Sequence, residues 1–477
     1  MGITHERYRS CDAIDLAGLV RQGDVLTEDL LEVATSAALQ LQPRLNAIAH
    51  WQLEAARHDP NLVATQGPLS GIPFLLKDIT THVVGWPMTS GSAVYRDFVS
   101  TVDSTIVERY RAAGLVVFGR TTTPEFGYAA TTESRLFGPT RNPWDLQLSA
   151  GGSSGGAAVA VAAGIVPAAQ GGDSGGSLRI PAAFCGLYGL KPTRARTPAG
   201  PYHGSFLGFS SAHVITRSVR DSALFLDVAS GPDVGAPYFA ERPEVSFLKA
   251  AGRRPRRIRI AVQRRAYDDS VVDADCLEAL EGAAALCLGL GHEVVDVDFR
   301  FDHRKLRSLY FLVWPTLVRL ALDQRAAATG RPWHPDDLET YVARLVEGVR
   351  DVSALAFAQA LEDINAVARE FRLQSDAFDA VLSPTTALVA PRIGVLDPSN
   401  PDQDELDMAL SRAVAFTQIY NVTGQPAASL PLHWTSRGIP VGVQLATRYG
   451  DEALLLQISR QIEEAMPWFH RVPALLA

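Results

Sequence analysis

The chain offers little to a disulfide framework, a membrane or a polyanion. Cysteine occupies only four of 477 positions, Cys11, Cys185, Cys276 and Cys287, with no C-x-x-C pair and no metal-ligand spacing. So sparse a set does not staple a fold, and a reducing, cytoplasmic compartment is expected. No run is long and apolar enough to span a bilayer, because the longest, Ala157 to Ala169, is broken by Gly164 and Pro167. The first ten residues lack the apolar centre of a signal peptide, and Glu6 spoils an N-myristoylation pattern. Basic charge is in deficit too. Lys and Arg number 44 against 52 Asp and Glu, a net charge of −8, which argues against nucleic acid as a partner. The one basic run, Arg253-Arg-Pro-Arg-Arg-Ile-Arg259, reads as a solvated surface cluster.

What is present suits a globular protein with a substantial core, since hydrophobic residues make up 47% of the chain and charged residues 20%. Residues 12–60 look helical, with a helix start at Thr27-Glu-Asp29 and apolar positions at Leu30, Leu31, Ala34 and Ala38. Strand-like runs occur at Leu115–Arg120, Ile258–Val262, Glu293–Phe299, Ala380–Leu382 and Val441–Ala446. Helical stretches such as Ala274–Leu290, Ala354–Phe371 and Glu452–Met466 lie between them. This alternation predicts an α/β layered fold. The Pro- and charge-rich stretch 235–256 reads as a surface connection.

Two serine- and glycine-dense loops stand out: Ser149-Ala-Gly-Gly-Ser-Ser-Gly-Gly156 and Gly171-Gly-Asp-Ser-Gly-Gly-Ser-Leu-Arg-Ile-Pro181. Glycine loses the most backbone freedom on folding, so such density points to backbone N–H groups brought close to a ligand or a developing negative charge. Serines within it are candidate nucleophiles. A third segment, Gly71-Ile-Pro-Phe-Leu-Leu-Lys-Asp-Ile79, sets Lys77 after an apolar run. A buried lysine loses its charge readily and becomes a general base, whereas an edge-strand lysine simply reaches water, and this segment alone favours the latter.

Both loops contain misleading motifs. Gly151-Gly-Ser-Ser-Gly155 matches G-x-S-x-G, but Asn142–Ala150 before it reads as loop, not the strand that a nucleophile elbow requires. Gly172-Asp-Ser-Gly-Gly176 resembles the serine stretch of chymotrypsin-like proteases, which are disulfide-stapled β-barrels. None of the 11 histidines lies in a recognisable triad context, and the α/β texture disagrees.

Taken together the three segments resemble the amidase signature family. The match is carried by Gly151-Gly-Ser-Ser-Gly-Gly156, by Gly175-Gly-Ser-Leu-Arg-Ile-Pro-Ala-Ala-Phe-Cys-Gly-Leu-Tyr-Gly-Leu-Lys-Pro-Thr193 and by the Lys77 segment. Thr123-Pro-Glu-Phe-Gly127, Arg141-Asn-Pro-Trp-Asp145, Ser383-Pro-Thr-Thr386, Thr423-Gly-Gln-Pro-Ala427 and Gly438-Ile-Pro-Val-Gly-Val-Gln444 extend it. The resemblance implies one domain over 1–477, with a mixed twisted β-sheet core covered by helices on both faces. Residues 1–65 form its helical N-terminal part, 66–232 the catalytic core, and 233–477 the remaining α/β core and pocket elements. It implies Ser177 as nucleophile, Ser153 as a bridging serine on a cis peptide, and Lys77 as base. The N–H groups of Ser174, Gly175, Gly176 and Ser177 would form an oxyanion hole, with Asp173, Arg179 and Ser154 as supports and Cys185 as a small core residue. No metal or organic cofactor is implied.

The substrate would be a small amide or carbamate. The amidotransferase branch of the family typically has Ile-Arg-Gln-Pro after the nucleophile, whereas this chain has Leu178-Arg-Ile-Pro181 and looks more like stand-alone bacterial amidases. A non-catalytic binding paralogue would have lost a triad residue, and all are present. Pocket walls are expected from Tyr128, Tyr202, Phe206, Phe209 and Trp314, the last in an aromatic helix Leu309-Tyr-Phe-Leu-Val-Trp314, with the glycine-punctuated loop 200–210 as a lid. Family members are often dimers, so a homodimer is an open expectation.

Overall fold

A computed structural model describes residues 2–63, 67–201 and 205–476. In chain order the strands of its first half are β1 (Ile48–Trp51), β2 (Pro73–Lys77), β3 (Val116–Thr121), β4 (Glu133–Ser134), β5 (Gly138–Pro139), β6 (Ala168–Asp173), β7 (Tyr188–Lys191) and β8 (Ser211–Thr216). Those of the second half are β9 (Arg259–Gln263), β10 (Glu293–Val297), β11 (Ala380–Pro384), β12 (Ala427–Trp434) and β13 (Pro440–Thr447). Eight form one mixed sheet in the order β10-β9-β11-β13-β12-β7-β8-β6. The β9 pairings with β10 and β11 are parallel, and those from β11 through to β6 are antiparallel.

Side-chain alternation explains why this sheet is covered on both faces. Val443 and Leu445 of β13, Leu382 of β11 and Ile260 of β9 pack with the helices Val219–Ala229, Ala274–Gly289 and Glu452–Ala465. Their neighbours Ala446, Val381 and Ala261 point the other way, towards Ile364, Val367 and Phe371 of the helix Ala354–Ser375. That helix starts where Ser353 accepts a hydrogen bond from Ala356 N at 3.1 Å, and its apolar positions recur at helical spacing. The predicted α/β class and two-sided covering are present.

A smaller sheet, β1-β3-β2, pairs β1 antiparallel and β2 parallel to β3. Here the reading of 12–60 as uniformly helical is corrected: after the helix Thr27–Leu45 the chain enters β1. Its register against β3 is a long-range pairing that helical periodicity does not announce. Lys77 ends β2, whose backbone N–H donates to the Gln170 side chain of β6 at 2.9 Å. The small sheet is thereby held against the edge strand of the large one.

The run Arg253–Arg259 is a surface feature in which Arg256 pairs with Asp379 at 2.7 Å and Arg259 with Glu293 at 2.9 Å. Cys185, Cys276 and Cys287 are buried, Cys11 is half-buried, and all four are free. Among the described residues no helix is long and apolar enough to cross a membrane.

Because Leu445 is fully buried in a central strand, Leu445→Ala is expected to lower the unfolding free energy by ~2–5 kcal/mol. Urea denaturation followed by circular dichroism measures this directly.

Candidate active site

Three backbone segments converge at the junction of the two sheets. Ser153 and Ser154 precede the buried helix Gly155–Ala162, Ser177 precedes the helix Arg179–Cys185, and Lys77 closes β2. The N-terminal ends of both helices therefore point their partial positive charge at one place. The Gly152–Ser153 peptide bond is cis. Gly152 is required by close approach, since a Cβ there would overlap the Thr131 backbone. Gly176 has φ +133°, and a Cβ would lie 2.6 Å from Thr417 Oγ1.

Lys77 is 2% exposed and donates from Nζ to Ser153 Oγ at 2.7 Å and to Ser154 Oγ at 3.0 Å. Burial strips water from its ammonium group and pulls its pKa down to about 7, partly offset by the more distant charge of Asp173. Ser154 also hydrogen-bonds to the backbone of Gly172, so it holds Nζ in place as much as it receives from it. The two serine loops are joined by Ser154 N donating to Ser177 O at 3.3 Å. The Ser177 side chain faces a cavity.

The backbone of residues 174–177 is held carbonyl by carbonyl. Ser174 O accepts from Tyr310 Oη at 2.9 Å, Gly175 O from Thr417 Oγ1 at 2.6 Å, Gly176 O from Ile180 N at 2.7 Å and Ser177 O from Ser154 N. Since a trans peptide directs its N–H opposite to its C=O, each anchor also aims the following N–H. The Gly176 N–H is committed to Asp173 Oδ1 at 2.8 Å. Among the described residues, the N–H groups of Ser174, Gly175 and Ser177 have no protein acceptor and remain available to an anionic oxygen.

Beneath the loop Asp173 and Arg179 form a bidentate pair at 2.8 and 2.9 Å, both fully buried. Arg179 also donates to Gln444 Oε1, Thr417 O and Asn421 Oδ1, so every guanidinium N–H is used. Asn421 Nδ2 returns a bond to Asp173 Oδ1 at 2.9 Å. Burial pushes the Asp173 carboxyl up, but the charge and hydrogen bonds of Arg179, with Asn421, reverse this and hold it below the usual carboxylate range.

Of the pocket residues expected from sequence, Tyr128, Phe206 and Trp314 line the cavity that Ser177 faces. Tyr128 and Trp314 lie ring on ring at 3.8 Å. Phe209 packs behind Phe206, with Arg194 over its ring at 4.5 Å. Tyr202 lies outside the described residues, as do positions 203 and 204 of the expected lid. Sequence reasoning missed Thr417 and Asn421, and Tyr310 fell within the aromatic segment 309–314 without a role of its own. Gln444 fell within a quoted motif, but without a role. The segment 309–314, expected as plain helix, makes a π-helical turn over Leu309–Val313 before the helix Trp314–Thr329. Such turns recur at functional sites, and no local composition signal marks this one. Asp275, Glu278 and His433 group their ligand atoms closely enough for a cation, but none of them belongs to the cluster around Lys77 and Ser177.

This α/β fold, with a buried lysine and two serine loops at one cavity, is shared with enzymes that hydrolyse carbon–nitrogen bonds other than peptide bonds. The family model described as Amidase matches residues 28–456. A 6-aminohexanoate-cyclic-dimer hydrolase from Pseudomonas sp. (strain NK87) is 36% identical over 478 residues, covering 98% of this chain and 97% of that protein. The solved structure of 6-aminohexanoate cyclic dimer hydrolase complexed with substrate superposes with a TM-score of 0.94 at 36% identity, covering 98% of this chain and all of that one. A bacterial aryl acylamidase structure gives 0.87 at 27% identity, covering 96% and 97%. The chain belongs to the amidase signature family.

If the Tyr310 hydroxyl aims the oxyanion donors through the Ser174 carbonyl, Tyr310→Phe should lower kcat roughly tenfold with KM little changed, a loss of about one hydrogen bond. Steady-state kinetics on a hydrolysed amide separates the two parameters.

Proposed function

We propose that the protein hydrolyses small amides through a serine–serine–lysine relay and an acyl-enzyme intermediate. The observation that carries this reading is the 2.7 Å hydrogen bond from a desolvated lysine to Ser153. A serine hydroxyl is a poor nucleophile until a base takes its proton. Neutral Lys77 draws a proton from Ser153, which takes one from Ser177, and Ser177 Oγ attacks the carbonyl carbon. The N–H groups left free in the 174–177 loop receive the oxyanion. Collapse breaks the C–N bond as Ser153 protonates the departing nitrogen. Water repeats the sequence on the ester, releasing the acid.

The substrate reading follows the relatives. Their names speak of a cyclic amide dimer of 6-aminohexanoate and of aryl amides. The aromatic wall of Tyr128, Tyr310 and Trp314 favours cyclic, oligomeric or aryl amides over short polar ones. Aryl carbamates present a similar carbonyl and belong in the same substrate panel. A cytoplasmic location and a homodimer stay with this proposal.

A fluorophosphonate probe is expected to label Ser177 and to lose that label in Ser177→Ala. Peptide mapping by mass spectrometry reads the site, and labelling at Ser174 instead would sink the assignment. The pH dependence has a definite sign. Lys77 is charged and inactive below about 7 and neutral above it, so kcat/KM should rise through about pH 7 and then level off. A profile flat from pH 5 to 9 would mean that another base serves.

A further inference from the structure

The two ends of the relay open onto different chambers. Ser177 faces one that holds about 100 Å³ of accessible space, bounded on one side by Leu410, Ser411 and Val414, one face of the helix Gln403–Val414. Lys77 and Ser153 face a second, of about 500 Å³, bounded by Leu317, Val318 and Ala321, one face of the helix Trp314–Thr329. Gly127, Ser174, Phe206 and Trp314 border both, so the two meet at the reacting groups.

The direction of proton flow tells the chambers apart. In acylation the Ser177 Oγ–carbon bond forms and the carbon–nitrogen bond breaks. The nitrogen takes its proton from Ser153, which Lys77 then resupplies. The departing nitrogen must therefore lie on the Ser153 side, while the carbonyl oxygen lies against the free N–H groups of the 174–177 loop. The acyl remainder is directed away from Ser153. We propose that the wide, mostly apolar chamber beside Lys77 receives the amine portion, and that the narrow chamber beside Ser177, walled by aromatic rings and by Asp268, His303, Arg307 and Asp407, receives the acyl portion. Among the substrates proposed above this favours open-chain aryl amides, with a compact, flat acyl group and a bulky apolar amine. Water for deacylation enters by the side the amine has vacated, where Ser153 and Lys77 stand ready to accept its proton.

This assignment rests on the serine–lysine relay proposed above, and its test separates the two. Two substrate series are compared, drawn from amides that the unaltered protein hydrolyses. One holds the acyl group constant and enlarges the amine from methylamine to aniline to naphthylamine. The other holds the anilide constant and enlarges the acyl group from acetyl to butyryl to benzoyl. Ala321→Phe should lower the large-to-small ratio of kcat/KM about tenfold in the amine series, and Leu317→Ala should raise it. Ser411→Phe should lower the ratio in the acyl series instead. The reverse pattern, or ratios that none of the three variants moves, overturns the chamber assignment. Fluorophosphonate labelling is read in parallel: a label at Ser177 alongside the reverse pattern condemns the chambers alone, whereas absence of that label condemns the relay itself.

Discussion

An amine held away from water without a carboxylate against it is the constraint on which the site depends. Lys77 has two hydroxyls within hydrogen-bonding distance, and the negative charge that acts on it, Asp173, is engaged by Arg179. Had Asp173 met the ammonium directly, the charged form would have been stabilised. Committing the carboxylate to an arginine, which cannot surrender its proton, keeps the lysine available. Desolvation thus sets the electrostatics of Lys77, while one buried ion pair withholds a counter-charge from it and fixes the 174–177 loop.

That pair also shows why the glycine-rich loop is ordered. Glycine lets the chain pass close to Thr131 and Thr417 but supplies no side-chain packing of its own. Order is imposed from outside, by acceptors and donors contributed by distant segments: Tyr310 above the loop, Thr417 beside it, Asn421 and Gln444 below. Desolvating an arginine and an aspartate costs several kcal/mol, which complete hydrogen bonding offsets. A network with no unused guanidinium donor also specifies one geometry rather than several.

Placement at the junction of two sheets gives the site its two-sided character. β2 brings Lys77 from the small sheet, and β6 leads from the edge of the large sheet into the loop that carries Ser177. The space on either side is closed by two helices that share no sequence motif, Trp314–Thr329 and Gln403–Val414. Lys77 and the serines thus come from locally dense motifs, while the walls of the space beside them come from helical surface outside those motifs.

Much was legible in the chain because it is locally encoded. Alternating apolar residues in Pro440–Thr447 and helical spacing in Ala354–Ser375 each need only a few neighbouring residues to read, and they yield the α/β class. The serine–glycine loops and Lys77 could be singled out because their composition is unusual wherever they sit. Strand β1, the π-helical turn at Leu309–Val313 and the roles of Asn421 and Tyr310 could not. Asn421 lies 248 positions from Asp173, and Tyr310 lies 136 from Ser174. What the sequence alone determined was which residues are able to do the chemistry, because reactivity begins with side-chain type and local backbone freedom. What only the tertiary structure decided was that Lys77 is desolvated rather than reaching water, and which N–H groups stay unclaimed. Both depend on which distant groups come to lie within a few ångströms, and local pattern carries no record of that.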